Sequence, residues 1–245
     1  MAHLYLREDL SDAEPGGEVE LSGAEARHLV TVSRGRVGEQ VSVSNGAGLL
    51  VTGEILSAEP ARVVVRADAV TRVPRPSPRI VLVQALAKGG RDELAVQAAV
   101  ELGADEIVPW QASRSISRWN GEKVRKGVQR WASIVREATK QSVRAWMPVV
   151  AEPVGLADLA ARAADSRMLV LEPGVIRPLT DIRFDDGDAR DIALVVGPEG
   201  GISPEESQRL ESAGALPVRL GQSVLRTSSA GPAAIAVLNV ALGRW

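Results

Sequence analysis

Three prolines fall within five residues in Val73-Pro-Arg-Pro-Ser-Pro78. Each lacks a backbone N–H and holds φ near −65°, so the run continues neither a helix nor a central strand. The chain is expected to divide there, into an N-terminal domain of residues 1–73 and a larger one of residues 74–245. Before the run, Val41-Ser-Val-Ser44 alternates, Asn45-Gly46 is a hairpin turn pair, Leu49 to Ile55 resumes the strand pattern, and Val63-Val-Val-Arg66 follows a break at Pro60. Ser22-Gly-Ala-Glu25 reads as a capping box opening one helix.

After the run the rhythm changes. Ile80 to Leu86, Ile107-Val108, Val149-Val150, Met168 to Leu171, Ile192 to Val196 and Leu216 to Leu220 read as short apolar strands with helical stretches between them. Asp92 to Leu102 predicts a helix closed by Gly103. Lys123 to Ser142 predicts a longer one, because Val124, Val128, Trp131, Val135 and Ala138 form one stripe. Strands alternating with helices imply an α/β class with a parallel sheet. The last helix, about Ala230 to Leu242, is apolar nearly all round, with Asn239 its only polar side chain. It must be covered, either within the sheet domain or at a subunit interface.

Composition narrows the chemistry. The 245 residues include no cysteine and two histidines, His3 and His28, which removes disulfides, thiolate sites and a cysteine nucleophile and argues against a metal. The first ten residues carry Arg7, Glu8 and Asp9 without an apolar stretch, and no window approaches a membrane span, so a cytoplasmic protein is expected. The net charge of −2 conceals an asymmetry: Arg62 to Arg144 holds 16 basic against 8 acidic residues, and the rest 13 against 23. Of the 29 basic residues 25 are arginine, whose planar fork suits phosphate oxygens and base edges. The run Arg114, Arg118, Lys123, Arg125, Lys126, Arg130, Lys140 and Arg144 is a candidate phosphate track, although a solvated helix face has the same pattern.

Two loops stand out. In Ile192-Ala-Leu-Val-Val-Gly-Pro-Glu-Gly-Gly-Ile-Ser-Pro-Glu-Glu206 a buried strand leads through Gly197, Gly200 and Gly201 to Ser203 as N-cap, Pro204 at the first helical position and Glu206 closing a capping box. The loop thus follows the carboxyl end of a strand, where open α/β sheets bind ligands. It has neither the GK[ST] of a Walker loop nor GxGxxG, and Glu199 would repel a bare phosphate, so ribose hydroxyls and a cationic group suit it better. A tight strand-to-helix turn without a ligand has the same pattern. In Leu220-Gly-Gln-Ser-Val-Leu-Arg-Thr-Ser-Ser-Ala230, Thr227, Ser228 and Ser229 suit capping of the following helix, and Arg226 needs an anionic or polar partner.

GPEGG before a capped helix, then LGxxxLR and an apolar terminal helix, resembles the SPOUT class of methyltransferases. Within it, the chain is similar to the RsmE family, which methylates N3 of a uridine in 16S ribosomal RNA. Ala87-Lys-Gly-Gly-Arg-Asp-Glu-Leu94, Glu101-Leu-Gly103, Ile107-Val-Pro109 and the run of Trp131, Glu137-Ala138, Gln141-Ser142, Arg144 and Pro148 carry the likeness, which spans nearly the whole chain. Glu25 to Gly46 resembles the start of its small RNA-binding domain. The chain departs at Ser228, where the family commonly has Glu, and at Ala98, where it often has Lys.

The resemblance implies a SPOUT domain with a parallel sheet and a trefoil knot, a PUA-like N-terminal β-barrel, and a homodimer with no metal and no membrane partner. It implies S-adenosylmethionine as cofactor, with Leu171, Gly197, Gly200, Gly201, Leu220, Gly221 and Leu225 lining its pocket. The RNA, as 16S rRNA or the small subunit, would meet Arg34, Arg36, Lys88, Arg91, Arg114, Arg118, Lys123, Lys126 and Arg144. Methylation at pyrimidine C5 commonly uses a cysteine, absent here, whereas N3 needs only loss of its proton. Arg226 is the candidate for stabilising the resulting charge and Glu199 the candidate base, or a cofactor ligand. N3 lies on the Watson–Crick edge, so unpaired RNA is the expected substrate. Two other readings stay open, a SPOUT enzyme methylating the ribose 2′-hydroxyl and a non-catalytic ribosome-assembly factor.

Overall fold

Along Leu49–Glu59 (β4) burial alternates, with Leu49, Val51, Gly53 and Ile55 inward and the residues between them half-exposed, as in a strand wet on one face. The computed structural model describes residues 4–185 and 187–245, so His3 lies outside the described part. It divides into two compact units: the described residues up to Arg75 together with Thr139–Met147, and Pro76–Ala138 together with Pro148–Trp245.

In the first unit β1 (Leu4–Leu6), β2 (Glu18–Ser22), β3 (Gln40–Ser44), β4 and β5 (Arg62–Arg72) form a half-barrel in the order β1-β3-β4-β5-β2, with β1 parallel to β3 and the other pairs antiparallel. Tyr5, Leu21, Leu29, Val43, Val51, Ile55 and Val65 fill its interior. Between β3 and β4 the turn is longer than the expected Asn-Gly pair. Asn45 Oδ1 accepts from the N–H groups of Ala47 and Leu49 at 2.8 and 3.0 Å, so four residues, 45–48, make the reversal.

The helix predicted at Ser22 is present as α1 (Gly23–Arg27), running into a π-type turn over His28–Val32, but the capping box is not. Ser22 makes no side-chain cap, and Glu25 turns inward, accepting from Leu6 N–H at 3.4 Å and lying 3.4 Å from Lys140 Nζ. A buried carboxylate needs a partner more than a helix end exposed to water does. Lys140 is thereby withdrawn from the candidate phosphate track. The same segment contributes Trp146, whose Nε1–H donates to the Val73 carbonyl at 2.9 Å.

The second unit is a six-stranded, wholly parallel sheet in the order β11-β9-β10-β6-β7-β8: Ile80–Ala85 (β6), Glu106–Trp110 (β7), Val149–Val150 (β8), Arg167–Leu171 (β9), Ile192–Val196 (β10) and Leu216–Val218 (β11). Its central strands β6 and β10 are buried along their whole length, the reading of a strand covered on both faces. On one face lie α4 (Leu156–Asp165) and α5 (Pro204–Ser212), with Leu159, Ala163 and Leu210 over Val81, Val83, Val108 and Val195. Against the other pack α2 (Arg91–Glu101) and α6 (Thr227–Ala241). α6 comes so close at Gly231 that a Cβ there would stand 2.9 Å from Leu82 Cδ1. α3 (Glu122–Gln141) buries Trp131, Val135 and Ala138 and leaves the N-terminal end of its stripe half-exposed. Between β9 and β10, among the described residues, only a 3-10 turn, Leu179–Asp181, stands where a helical connection was expected.

Strand starts are pinned by charge. Arg79 donates through Nε and Nη2 to Asp191 at 3.0 and 2.5 Å, and Glu106 receives both Arg79 and Arg162, at 3.4 and 2.9 Å. Asn239 of α6 is buried and donates to the Leu102 carbonyl at 2.6 Å, so the one polar residue beyond the first turn of that helix caps the end of another. The chain runs outward through β6, β7 and β8, then returns to place β10 beside β6. That reversal is a topological switch point, and it opens a crevice at the carboxyl ends of the strands.

Candidate active site

A cavity of about 520 Å³ occupies that crevice, within the usual range for small-molecule sites. Three strand ends feed it. Leu171, Glu172, Pro173 and Gly174 follow β9; Val196, Gly197, Pro198, Glu199, Gly201 and Ile202 follow β10; Val218, Arg219, Leu220 and Gly221 follow β11. Ser223 to Thr227 and Ala230 close it from the start of α6, and Arg91 comes from the start of α2. Leu171, Gly197, Gly201, Leu220, Gly221, Leu225, Glu199 and Arg226 from the sequence reading therefore converge on one cavity. Gly200 stands outside the lining: a Cβ there would meet Arg114, and its carbonyl accepts from Arg114 Nη1 at 3.1 Å.

The loop after β10 is held from several directions. The capping box forms as its pattern requires, Ser203 Oγ accepting from Glu206 N–H at 3.2 Å and Glu206 Oε2 accepting from Ser203 N–H at 3.0 Å. Glu206 also accepts from Ser113 N–H at 2.6 Å and Ser113 Oγ at 2.8 Å. Burial pushes its carboxyl upward, but the bonds from Ser203 and Ser113 outweigh that and hold it below the ordinary glutamate value.

Thr227 does not cap α6. Its Oγ1 donates to the Gly197 carbonyl at 2.8 Å and accepts from Gln84 Nε2 at 2.9 Å. Both loops are thereby tied to buried Gln84 at the end of the central strand β6. The residue at the N-cap position is Arg226, which offers the helix no side-chain bond; its guanidinium is exposed at the cavity wall and has no partner among the described residues.

Glu199 is engaged. Oε1 accepts from Arg91 Nη1 at 2.8 Å and from Lys88 N–H at 3.3 Å. Desolvation raises its pKa, yet the bonds from its own N–H, Arg91 and Lys88 prevail and the carboxyl titrates below its ordinary value. A carboxylate so held is a weak base and a firm tether for the loop that carries Lys88 and Arg91.

The expected RNA contacts are dispersed. Arg34 and Arg36 are exposed in the first unit with side chains unpartnered among the described residues, Arg34 at φ 57°, and Arg144 is half-buried in that unit. In the second unit Lys88 and Lys123 are exposed and likewise without side-chain partners, while Lys126 stands 3.6 Å from Glu122. Arg91 holds Glu199, Arg114 holds the Gly200 carbonyl, and Arg118 donates to the Ser113 carbonyl at 2.8 Å.

Sequence reasoning missed Thr227 as a tie, Gln84 altogether and the second use of Glu206. A glutamine inside the apolar run Ile80-Val-Leu-Val-Gln-Ala85 was the available signal, since a polar side chain in a strand covered on both faces needs a partner.

Comparison with known proteins agrees with this architecture. A family model for an RNA methyltransferase domain matches residues 74–239, and one for an RNA methyltransferase PUA domain matches residues 21–68. The chain is 39% identical over 252 residues to ribosomal RNA small subunit methyltransferase E of Mycobacterium bovis, a match covering all of this chain and 94% of the relative. It is 27% identical over 246 residues to the protein of the same name from Bacillus subtilis, covering 98% and 96%. Two solved structures with S-adenosylmethionine bound superpose over 98% of both chains. They are a protein from Legionella pneumophila (33% identity, TM-score 0.85) and ribosomal RNA small subunit methyltransferase E from Neisseria gonorrhoeae (29% identity, TM-score 0.86). A strand-end cavity built from GPEGG and LGxxxLR loops, matched over the full length of the chain, makes this protein a member of the ribosomal RNA small subunit methyltransferase E family of RNA methyltransferases.

Proposed function

We propose that the chain transfers a methyl group from S-adenosylmethionine to N3 of a uridine in the 16S ribosomal RNA of the small subunit. The observation that carries the reading is the unpaired Arg226 guanidinium on the wall of a cavity whose opposing charge, Glu199, is already matched by Arg91. The cavity suits the cofactor: glycine backbones at residues 197, 201 and 221 allow close approach, Leu171, Leu220 and Leu225 offer an apolar lining for a heterocycle, and Glu172 and Glu199 stand near for a cationic group. When bound, S-adenosylmethionine supplies an electrophilic methyl on a sulfonium.

The protein's residues act on the acceptor. Neutral uracil carries a proton on N3, and its loss places negative charge on N3 and the two flanking carbonyl oxygens. Arg226, free of other partners, stabilises that charge, and the proton leaves to solvent. Glu199, kept ionised, fixes Arg91 and the Lys88 N–H and so shapes the wall. Thr227 and Gln84 hold the Gly197 carbonyl in register.

Arg34, Arg36, Lys88, Lys123 and Lys126 serve the RNA backbone. A second copy of the chain covers α6: Gly231, Ala234, Ile235 and Leu238 are buried within the unit, while Val240 and Trp245 are exposed at 65% and 64%. The reading carries with it a trefoil knot through the loops after β9, β10 and β11. It also places the enzyme in the cytoplasm; among the described residues no helix is long and apolar enough to cross a membrane.

The test is mass mapping of 16S RNA from cells with and without the gene. The expected result is loss of one uridine base methylation that also stops reverse transcriptase. A lost ribose methylation, or unchanged RNA, refutes the reading. Arg226→Ala should cut methyl transfer about a hundredfold with the fold intact, and Glu199→Gln should cut it less.

A further inference from the structure

A second cavity, of about 350 Å³, shares the loop that carries Arg91. Gly89 and Gly90 line it from that loop, Trp119 from the segment leading into α3, and Lys123 and Lys126 from the first turns of α3. Of its lining, only Lys123 and Lys126 enter the function proposed above, as contacts to the RNA backbone.

Its aromatic wall is built. Gly127, in the interior of α3, is a poor helix former by propensity. A Cβ there would lie 2.5 Å from the Trp119 indole, so the ring is seated directly on helix backbone. Buried Trp131 meets the same indole edge-on, with ring centroids 5.2 Å apart at 74°. Trp119 N–H donates to Gln111 Oε1 at 3.0 Å, fixing the backbone as well. The indole is clamped yet remains partly exposed to the cavity.

Three cations, Lys123, Lys126 and Arg130, line it against two carboxylates, Asp92 and Glu93. Glu93 is matched by Arg130 Nε at 2.6 Å, and the Asp92 carboxylate accepts from the N–H groups of Ala87 and Glu93 at 3.0 and 2.9 Å. The ammonium of Lys123 has no partner among the described residues, and Lys126 has only exposed Glu122 at 3.6 Å. The site therefore offers a rigid π-face beside surplus positive charge in a space suited to a small group. A base with its phosphate satisfies all three.

We propose that this cavity is a nucleotide subsite in which an unpaired base adjoining the methylated uridine stacks on Trp119 while Lys123 and Lys126 hold its phosphate. The proposal rests on the reading of the protein as an RNA methyltransferase. Because loop 87–93 borders both cavities, a base seated here orders the wall that carries Arg91.

The experiment uses the full-length enzyme, small subunits from a strain lacking it, and labelled S-adenosylmethionine. Trp119→Leu keeps an apolar side chain without a stacking face and should raise KM for the subunit about tenfold. Trp119→Phe should recover most of that, and affinity for S-adenosylmethionine should be unchanged in both. The surface pair Lys123→Ala with Lys126→Ala, which leaves the core untouched, should also raise KM and flatten its salt dependence. Photocrosslinking of 5-iodouridine-substituted 16S RNA should label the peptide containing Trp119. Wild-type KM in Trp119→Leu and in the lysine pair, or equal weakening of cofactor and RNA binding in both, overturns the subsite while leaving the methyl-transfer reading intact. If the unaltered enzyme methylates no ribosomal RNA, both fall.

Discussion

Arg91 Nη1 lies 2.8 Å from Glu199 Oε1 across 108 residues of sequence, joining the start of α2 to the loop after β10. If Glu199 acts by holding this pair, Glu199→Gln and Arg91→Ala should each lower kcat/KM roughly 5- to 30-fold, and the double variant should be no worse than either single one. A general base would instead cost about 10²- to 10⁴-fold in Glu199→Gln alone, with Arg91→Ala mild. Steady-state kinetics on the four proteins decide.

Thr227→Val keeps the shape of the side chain and removes both hydrogen bonds, leaving the Gly197 carbonyl and the Gln84 amide without them. Affinity for S-adenosylmethionine should fall about tenfold, because the loop that follows β10 loses its register, and calorimetry reads this directly. Cofactor affinity equal to wild type would show that the tie does not shape the pocket.

Glu206 makes stability depend on pH. Its folded pKa is below the ordinary value, so the stabilisation it provides is fully present above the unfolded pKa, near 4.5, and is lost as pH falls through the folded value. Glu206→Gln, which disrupts the bonds accepted from Ser203 and Ser113, should cost about 1–3 kcal/mol at pH 7. The gap in Tm between variant and wild type should narrow as pH is lowered from 6 toward 3.

Asn239→Leu should destabilise the second unit by about 1–2 kcal/mol, since the Leu102 carbonyl loses its donor at the end of α2. Chemical denaturation monitored by circular dichroism gives the number. An unchanged midpoint would mean that solvent replaces the amide.

The parallel α/β alternation and the two strand-end loops were legible because each is written in spacings of a few residues. Three prolines stop regular structure wherever they stand, and Ser203, Pro204 and Glu206 specify a helix start within one turn. The same local logic misled at Ser22, where a matching pattern gave no cap because Glu25 met a buried lysine 115 residues away. It was silent on Gln84, whose partner Thr227 lies 143 residues on, and on Trp119, whose seat is a glycine that looks like a blemish in a helix.

What the sequence by itself determined was which apolar runs form the parallel strands and which loops follow them. Tertiary structure alone decided which loops meet, through the strand order β11-β9-β10-β6 that sets GPEGG, LGxxxLR and Arg91 around one cavity. The physical reason is range. Propensity, capping and periodicity act over one or two turns, whereas ion pairs and buried hydrogen bonds between strand ends exist only once the sheet has chosen its order.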